Sequence, residues 1–209
     1  MILQLLKDVT RESHAALELQ MPLLDADLRP TAYQHMVQKL YTYHKPLEVL
    51  LLSSPSFADI GIEYAERAKT ARLARDLEAL GLRASDIEQM RLCDALPPLE
   101  KQSHIWGCLY VLEGATLGGQ IVARHLQASL NLTPETGASY FSGYGVNTGP
   151  QWKTFCALLT AYAARTDDTT DILAGANATY ATLSAWMRVA DGESATRTLA
   201  GSVAQPVLA

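Results

Sequence analysis

The sequence predicts an all-α, single-domain helical bundle, and three observations carry that prediction. Apolar residues recur at helical spacing through most of the chain, while alternating β-branched runs are absent. The breaks between periodic segments are short and marked by Pro, Gly, Ser and Asn. The 209 residues, 48% apolar and 19% charged, suffice to bury a core without a disulfide or metal staple, and contain no repeat or low-complexity tract.

The elements follow in order. A first helix is predicted over 3–20, ended by Met21-Pro22, because the residue before a proline leaves the α region. A second spans about 30–52, with Pro46 as an expected kink or break. A charged helix is predicted over 62–80, stopped by Gly81, and a short one from Ser85 or Asp86 to Cys93. A long helix covers 100–130, and Thr133-Pro134 opens another short piece. Residues 137–150 hold four glycines together with Tyr140, Phe141 and Tyr144, and read as a structured loop. Two further helices cover 151–165 and 170–190. The domain is expected to fill 1–191, followed by a small, polar tail over 192–209 that is expected to be flexible.

Charge narrows the function classes. Lys and Arg total 17 against 22 Asp and Glu, a net charge of −5, the opposite of a nucleic-acid or anionic-membrane binder. The longest apolar runs are short, such as Val49–Leu52, so no membrane span is expected. The N-terminus lacks a basic stretch and a cleavage site, so no signal peptide is expected either. Cys93, Cys108 and Cys156, odd in number and far apart, read as reduced thiols, and the expected location is cytoplasmic.

On a helical wheel the first helix places Leu6, Val9, Ser13, Ala16 and Leu17 on one face. Lys7, Arg11, His14 and Glu18 fall on an adjoining stripe about 60° wide. An imidazole there, with a carboxylate one turn on, has the makings of an axial iron ligand whose other ring N–H is fixed by Glu18. Lys7 and Arg11 could pair with carboxylates of a ligand. The alternative is a solvated face with i,i+4 pairs. Glu100 and His104 form one further i,i+4 pair, but no second pair faces them, so a zinc or di-iron site is poorly supported.

The long helix carries Glu113-Gly114-Ala115-Thr116-Leu117-Gly118-Gly119-Gln120. Glycines at 114, 118 and 119 cost about 3 kcal/mol relative to alanine. Gly114 and Gly118 share a face, where bare backbone would admit a flat group or a tightly crossing helix. Phosphate-loop patterns, a nucleophile-elbow serine and a nucleophilic-cysteine motif are absent.

Together these segments resemble the haem oxygenase family. Leu6-Lys7-Asp8-Val9-Thr10-Arg11-Glu12-Ser13-His14-Ala15-Ala16-Leu17-Glu18 is similar to the family's proximal-helix signature, Leu-Lys/Arg-x-x-Thr-Lys/Arg-x-x-His-x-x-x-Glu. Residues 113–120 resemble the distal helix of bacterial members, especially those associated with bacteriophytochromes. Tyr140-Phe141-Ser142-Gly143-Tyr144-Gly145 and Trp152-Lys153-Thr154-Phe155 also look like those members.

The resemblance implies a bundle with haem held between a proximal N-terminal helix and a glycine-kinked distal helix. His14 would be the iron ligand and Glu18 its orienting partner, with Lys7 and Arg11 at the propionates. Gly114, Gly118 and Gly119 would lie over the haem face, and Thr116 would stand among the groups serving the reaction. Haem would be both substrate and cofactor, cleaved by O2 and external electrons to biliverdin, CO and ferrous iron. A ferredoxin or flavodoxin-type reductant and a bacteriophytochrome as biliverdin acceptor are the implied partners. Animal members carry an aspartate where this chain has Ala115, which leaves Glu113, Thr116, Gln120 or water to deliver protons. The alternative on the same fold is a haem-binding or haem-transfer protein without catalysis.

Overall fold

A computed structural model describes residues 1–189. Among them are seven α-helices and no strand: α1 (Ile2–Gln20), α2 (Pro30–Ser53), α3 (Thr70–Ala79), α4 (Ala84–Glu88), α5 (Gln102–Leu130), α6 (Thr148–Arg165) and α7 (Thr169–Arg188). The expected tail at 192–209 lies outside the described residues. α5 runs through the middle and packs most extensively on α7; α7 in turn carries α1, and α2 carries α3. By length and apolarity α5 meets the requirement for a membrane-crossing helix, but more than half of its most apolar window is buried, as the core helix of a bundle would be.

The closest helix crossing depends on two glycines. A Cβ on Gly107 would stand 2.1 Å from the Ile172 carbonyl oxygen, and one on Gly175 would stand 2.4 Å from the His104 carbonyl oxygen. Only hydrogen at both positions lets the α5 and α7 backbones approach this closely. Around the crossing, Ile105, Leu109, Phe155, Leu159, Ile172 and Ala176 are fully buried, with Trp106 beside them. A second cluster of Tyr33, Val37, Leu40, Leu73, Leu77, Leu126 and Phe141 joins α2, α3, the far end of α5 and the loop after it.

α2 continues through Pro46. Proline cannot donate to the Thr42 carbonyl one turn back, and the Cys93 N–H takes that acceptor instead at 3.0 Å. This bond also fixes the chain after α4, which ends at Glu88 rather than near Cys93. The charged helix expected over 62–80 is α-helical only from Thr70, after a 3-10 turn at Tyr64–Arg67. Its start is set from a distance: the Glu48 carboxylate of α2 accepts the Lys69 N–H at 2.5 Å and the Thr70 N–H at 3.3 Å. At Thr133-Pro134 there is a turn rather than a helix, and α6 begins three residues early at Thr148. On α1 the core side is Ile2, Leu6 and Thr10; Val9 and Ala16, expected on that face, are exposed.

Candidate functional site

α5 remains α-helical through Gly114, Gly118 and Gly119. The first two glycines are not where helices cross. A Cβ on Gly118 would meet nothing within 4 Å, and one on Gly114 would meet only the Trp152 indole edge, at 3.8 Å. Leu117 is 39% exposed and Ile121 52%, so this side of α5 presents an apolar strip of low relief that the described chain leaves uncovered. Scattered exposed apolar residues are ordinary; a contiguous strip with two glycines in it marks a contact surface.

Aromatic side chains join this strip to α1. Trp152 neighbours Tyr110 at a centroid distance of 5.8 Å and stacks on Phe155 at 5.6 Å. Tyr110 lies close enough to Tyr180 to help raise its pKa, and Thr10 of α1 hydrogen-bonds Tyr110. Tyr180 meets the His14 ring edge-on at 6.0 Å. Burial raises the pKa of both phenols, so these tyrosines are neutral walls, not bases.

His14 leads the exposed stripe of α1. Its side chain is 54% exposed, and its Nδ1 lies 3.6 Å from Glu18 Oε2. With Glu18 beside Nδ1, Nε2 is the ring nitrogen available as a lone-pair donor. Lys7 and Arg11 are exposed on the same stripe, Arg11 paired with Asp8 at 2.5 Å. Among the described residues, no group of three or more His, Cys, Asp or Glu side chains is arranged to hold a metal ion by itself. A single imidazole is sufficient only where the ligand brings most of the iron's coordination with it.

The structure thus brings together His14, Glu18, Lys7 and Arg11 on one helix, and Gly114 and Gly118 on another. Gly119 and Thr116 point elsewhere. A Cβ on Gly119 would stand 2.8 Å from the Phe141 carbonyl oxygen, so that glycine admits the 137–147 loop. Thr116 is buried, donates to the Glu113 carbonyl at 2.6 Å and abuts Gly143.

Behind the strip lies a buried ionic cluster that sequence reasoning missed. Glu113 is 1% exposed, receives Arg67 Nη1, and binds Lys69 Nζ at 2.9 Å and the Tyr144 hydroxyl at 2.8 Å. Arg67 also reaches Gln151, and Arg72 donates to the Gly143 carbonyl. Two segments distant in sequence, 67–69 and the loop carrying Tyr144, are thereby tied to α5 one residue before Gly114. Burial lowers the Lys69 pKa, and the Glu113 charge opposes that shift. Nearby, burial and then the Lys69 charge push His44 down to about 3, so its imidazole is neutral. Glu113 is therefore anchored behind the strip by Arg67, Lys69 and Tyr144. No sequence spacing links positions 67, 69, 113 and 144; the single legible clue was a carboxylate in the most apolar helix.

The Heme oxygenase family profile matches residues 1–189. The chain belongs to the haem oxygenase family. Its fold is similar to that of the Neisseria meningitidis haem oxygenase, seen in crystal structures with NO and CO bound. That likeness has a TM-score of 0.74 at 21% identity, covering 93% of this chain and 96% of that one. A comparison with curated protein sequences finds no match. As a haem oxygenase family member, the chain carries its best candidate residues on the two helices that flank the aromatic walls. Trp152, Tyr110 and Tyr180 join them. Tyr110 stands one turn before Gly114, a spacing that could have nominated it.

Proposed function

We propose that this chain is a haem oxygenase that cleaves haem to biliverdin, CO and ferrous iron, using O2 and electrons from an external donor. The observation that supports this most is the pair Gly114 and Gly118. They carry the conformational cost of helix-interior glycine yet serve no helix crossing: Gly118 faces open space and Gly114 meets only the Trp152 indole edge. The residues present suit a flat iron tetrapyrrole: one imidazole with a free Nε2, an apolar strip of low relief with two glycines in it, and cations on the imidazole's helix. When bound, haem supplies the iron that activates O2 and the porphyrin carbon that is cut.

The chain's own tasks are binding, orientation and proton supply. His14 Nε2 would hold the iron, and Glu18, 3.6 Å from Nδ1, would receive a hydrogen bond from the Nδ1–H and so fix the tautomer. Lys7 and Arg11 pair with the propionates at the solvent edge. Gly114 and Gly118 keep the opposite side low, and Tyr110, Trp152 and Tyr180 exclude water from the inner edge. Ala115 stands where animal relatives have a carboxylate, Glu113 is committed to Arg67 and Lys69, and Thr116 to a backbone carbonyl. Gln120, whose Nε2 donates to the Gly145 carbonyl at 3.1 Å, and water along the half-open strip are the remaining proton sources. Electrons come from a one-electron carrier of the ferredoxin or flavodoxin type, docking near Lys7 and Arg11. The setting is cytoplasmic, with a bacteriophytochrome as one acceptor for the biliverdin.

Ala115 favours a second reading, haem binding or transfer without cleavage. Titrating the apoprotein with hemin and then adding ascorbate under air separates the two. Stoichiometric uptake followed by chromatographically identified biliverdin supports the enzyme. A stable haem spectrum under reductant supports the carrier, and no uptake of hemin rejects both.

A further inference from the structure

We infer that Trp152 is the specificity-determining stop of the slot, setting how far a porphyrin enters and thus which edge of the ring is oxidised. The inference rests on the reading above that the slot takes haem. Along the strip the two glycines differ: a Cβ on Gly118 would meet nothing, whereas one on Gly114 would meet Trp152 Cη2 at 3.8 Å and Cζ3 at 3.9 Å. The strip is therefore open at one end and closed at the other by the benzo edge of an indole.

That edge is backed by other rings. Trp152 stacks on Phe155 at 5.6 Å with 27° between the planes, and Phe155 is fully buried. Phe155 in turn leans on Trp106 at 5.8 Å, which is 2% exposed, and Tyr110 flanks Trp152 at 5.8 Å. A close-packed aromatic backing transmits force rather than absorbing it. The edge is also apolar, so it suits the vinyl and methyl side of the macrocycle and leaves the propionates at the open end. In-plane rotation then follows from depth and polarity together: the fixed stop sets how far the macrocycle enters, and its apolar surface favours an edge without propionates.

Wild type, Trp152→Ala and Trp152→Phe are to be loaded with hemin and compared in two ways. Proton NMR of the cyanide-ligated ferric complexes reads the haem-methyl resonance sets without turnover, and chromatography after ascorbate reads the biliverdin isomers. Trp152→Ala is expected to add a resonance set absent from wild type. It should also raise a second isomer to at least about a tenth of the product, corresponding to seatings within about 1.4 kcal/mol of each other. Trp152→Phe should restore most of the wild-type pattern. If Trp152→Ala does not fold, Trp152→Leu is read in the same way. An unchanged resonance pattern and isomer ratio overturn the inference. If wild type binds hemin but makes no biliverdin, the oxygenase reading fails and the resonance sets still decide the role of Trp152. If hemin does not bind, both fall.

Discussion

The four glycines of α5 make opposite predictions under one substitution, and Gly118→Ala is the most informative. Alanine is favoured over glycine in a helix interior by about 0.8–1.0 kcal/mol. The new methyl at position 118 would meet no atom within 4 Å, so nothing offsets that gain in the ligand-free protein. For a chain of this size the gain raises Tm by about 2–4 °C. The same methyl at position 107 would stand 2.1 Å from one backbone atom and 2.5 Å from another. α5 and α7 would have to part, and overpacking of that kind costs about 1–3 kcal/mol. Gly119→Ala falls between, because its 2.8 Å contact is with a loop carbonyl. Far-UV circular dichroism melts of the apoproteins should therefore rank 118 above wild type, then 119, then 107. Hemin titration should invert the first pair: a methyl on the strip intrudes where the macrocycle lies, and a misfit of about 1 kcal/mol or more weakens uptake at least about fivefold. A Gly118→Ala protein that melts below wild type refutes the open-strip geometry, and one that binds hemin as wild type does refutes the close approach. A stabilising mutation that damages binding is the expected signature of a residue retained for function.

Three further outcomes are expected. His14→Ala should abolish the histidine-ligated haem spectrum while the circular dichroism is unchanged, with exogenous imidazole restoring the spectrum; an unaltered spectrum would assign the iron to another ligand. Glu113→Gln should cost about 3–5 kcal/mol, because Arg67 and Lys69 are left buried without their anion, and urea unfolding showing a loss below about 1 kcal/mol would contradict the cluster's role. His44, held neutral with a pKa pushed down from 6.5 to about 3, leaves the unfolded chain binding a proton that the native state refuses below 6.5. Stability is therefore lost as pH falls from 6.5 toward 3, by up to about 1.4 kcal/mol per pH unit from this group. Asp76, raised to about 6 by burial, acts in the opposite sense below that pH but is common to both proteins, so the difference between wild type and His44→Leu isolates the histidine. Equal slopes in the two proteins between pH 6.5 and 5 would dispose of that assignment.

What the sequence revealed and what it concealed divide by range. Helix existence was readable because periodicity is local: α1, α5, α6 and α7 stand within about three residues of their expected limits. The failures occur where a distant group decides the outcome. Glu48 starts α3, Cys93 replaces the donor missing at Pro46, and the aromatic backing of Trp152 draws on α5 and α6 together. The site shows the same division. The His14 stripe and the Gly114–Gly118 pair are i,i+4 patterns, visible in one dimension. Which glycines pack and which stay bare was not, since Gly107 and Gly118 look alike until Gly175 arrives opposite one of them. That pairing also bears on function. Because the tight crossing is completed at Gly107, α5 is clamped to α7 two turns before Gly114, and Glu113 ties it again one residue before. Beyond the strip, Gly119 packs on the Phe141 carbonyl and Leu126 is fully buried, so the bare face belongs to a helix held on both sides of it, the arrangement needed if the height of that face is to be set by the protein and not by the ligand.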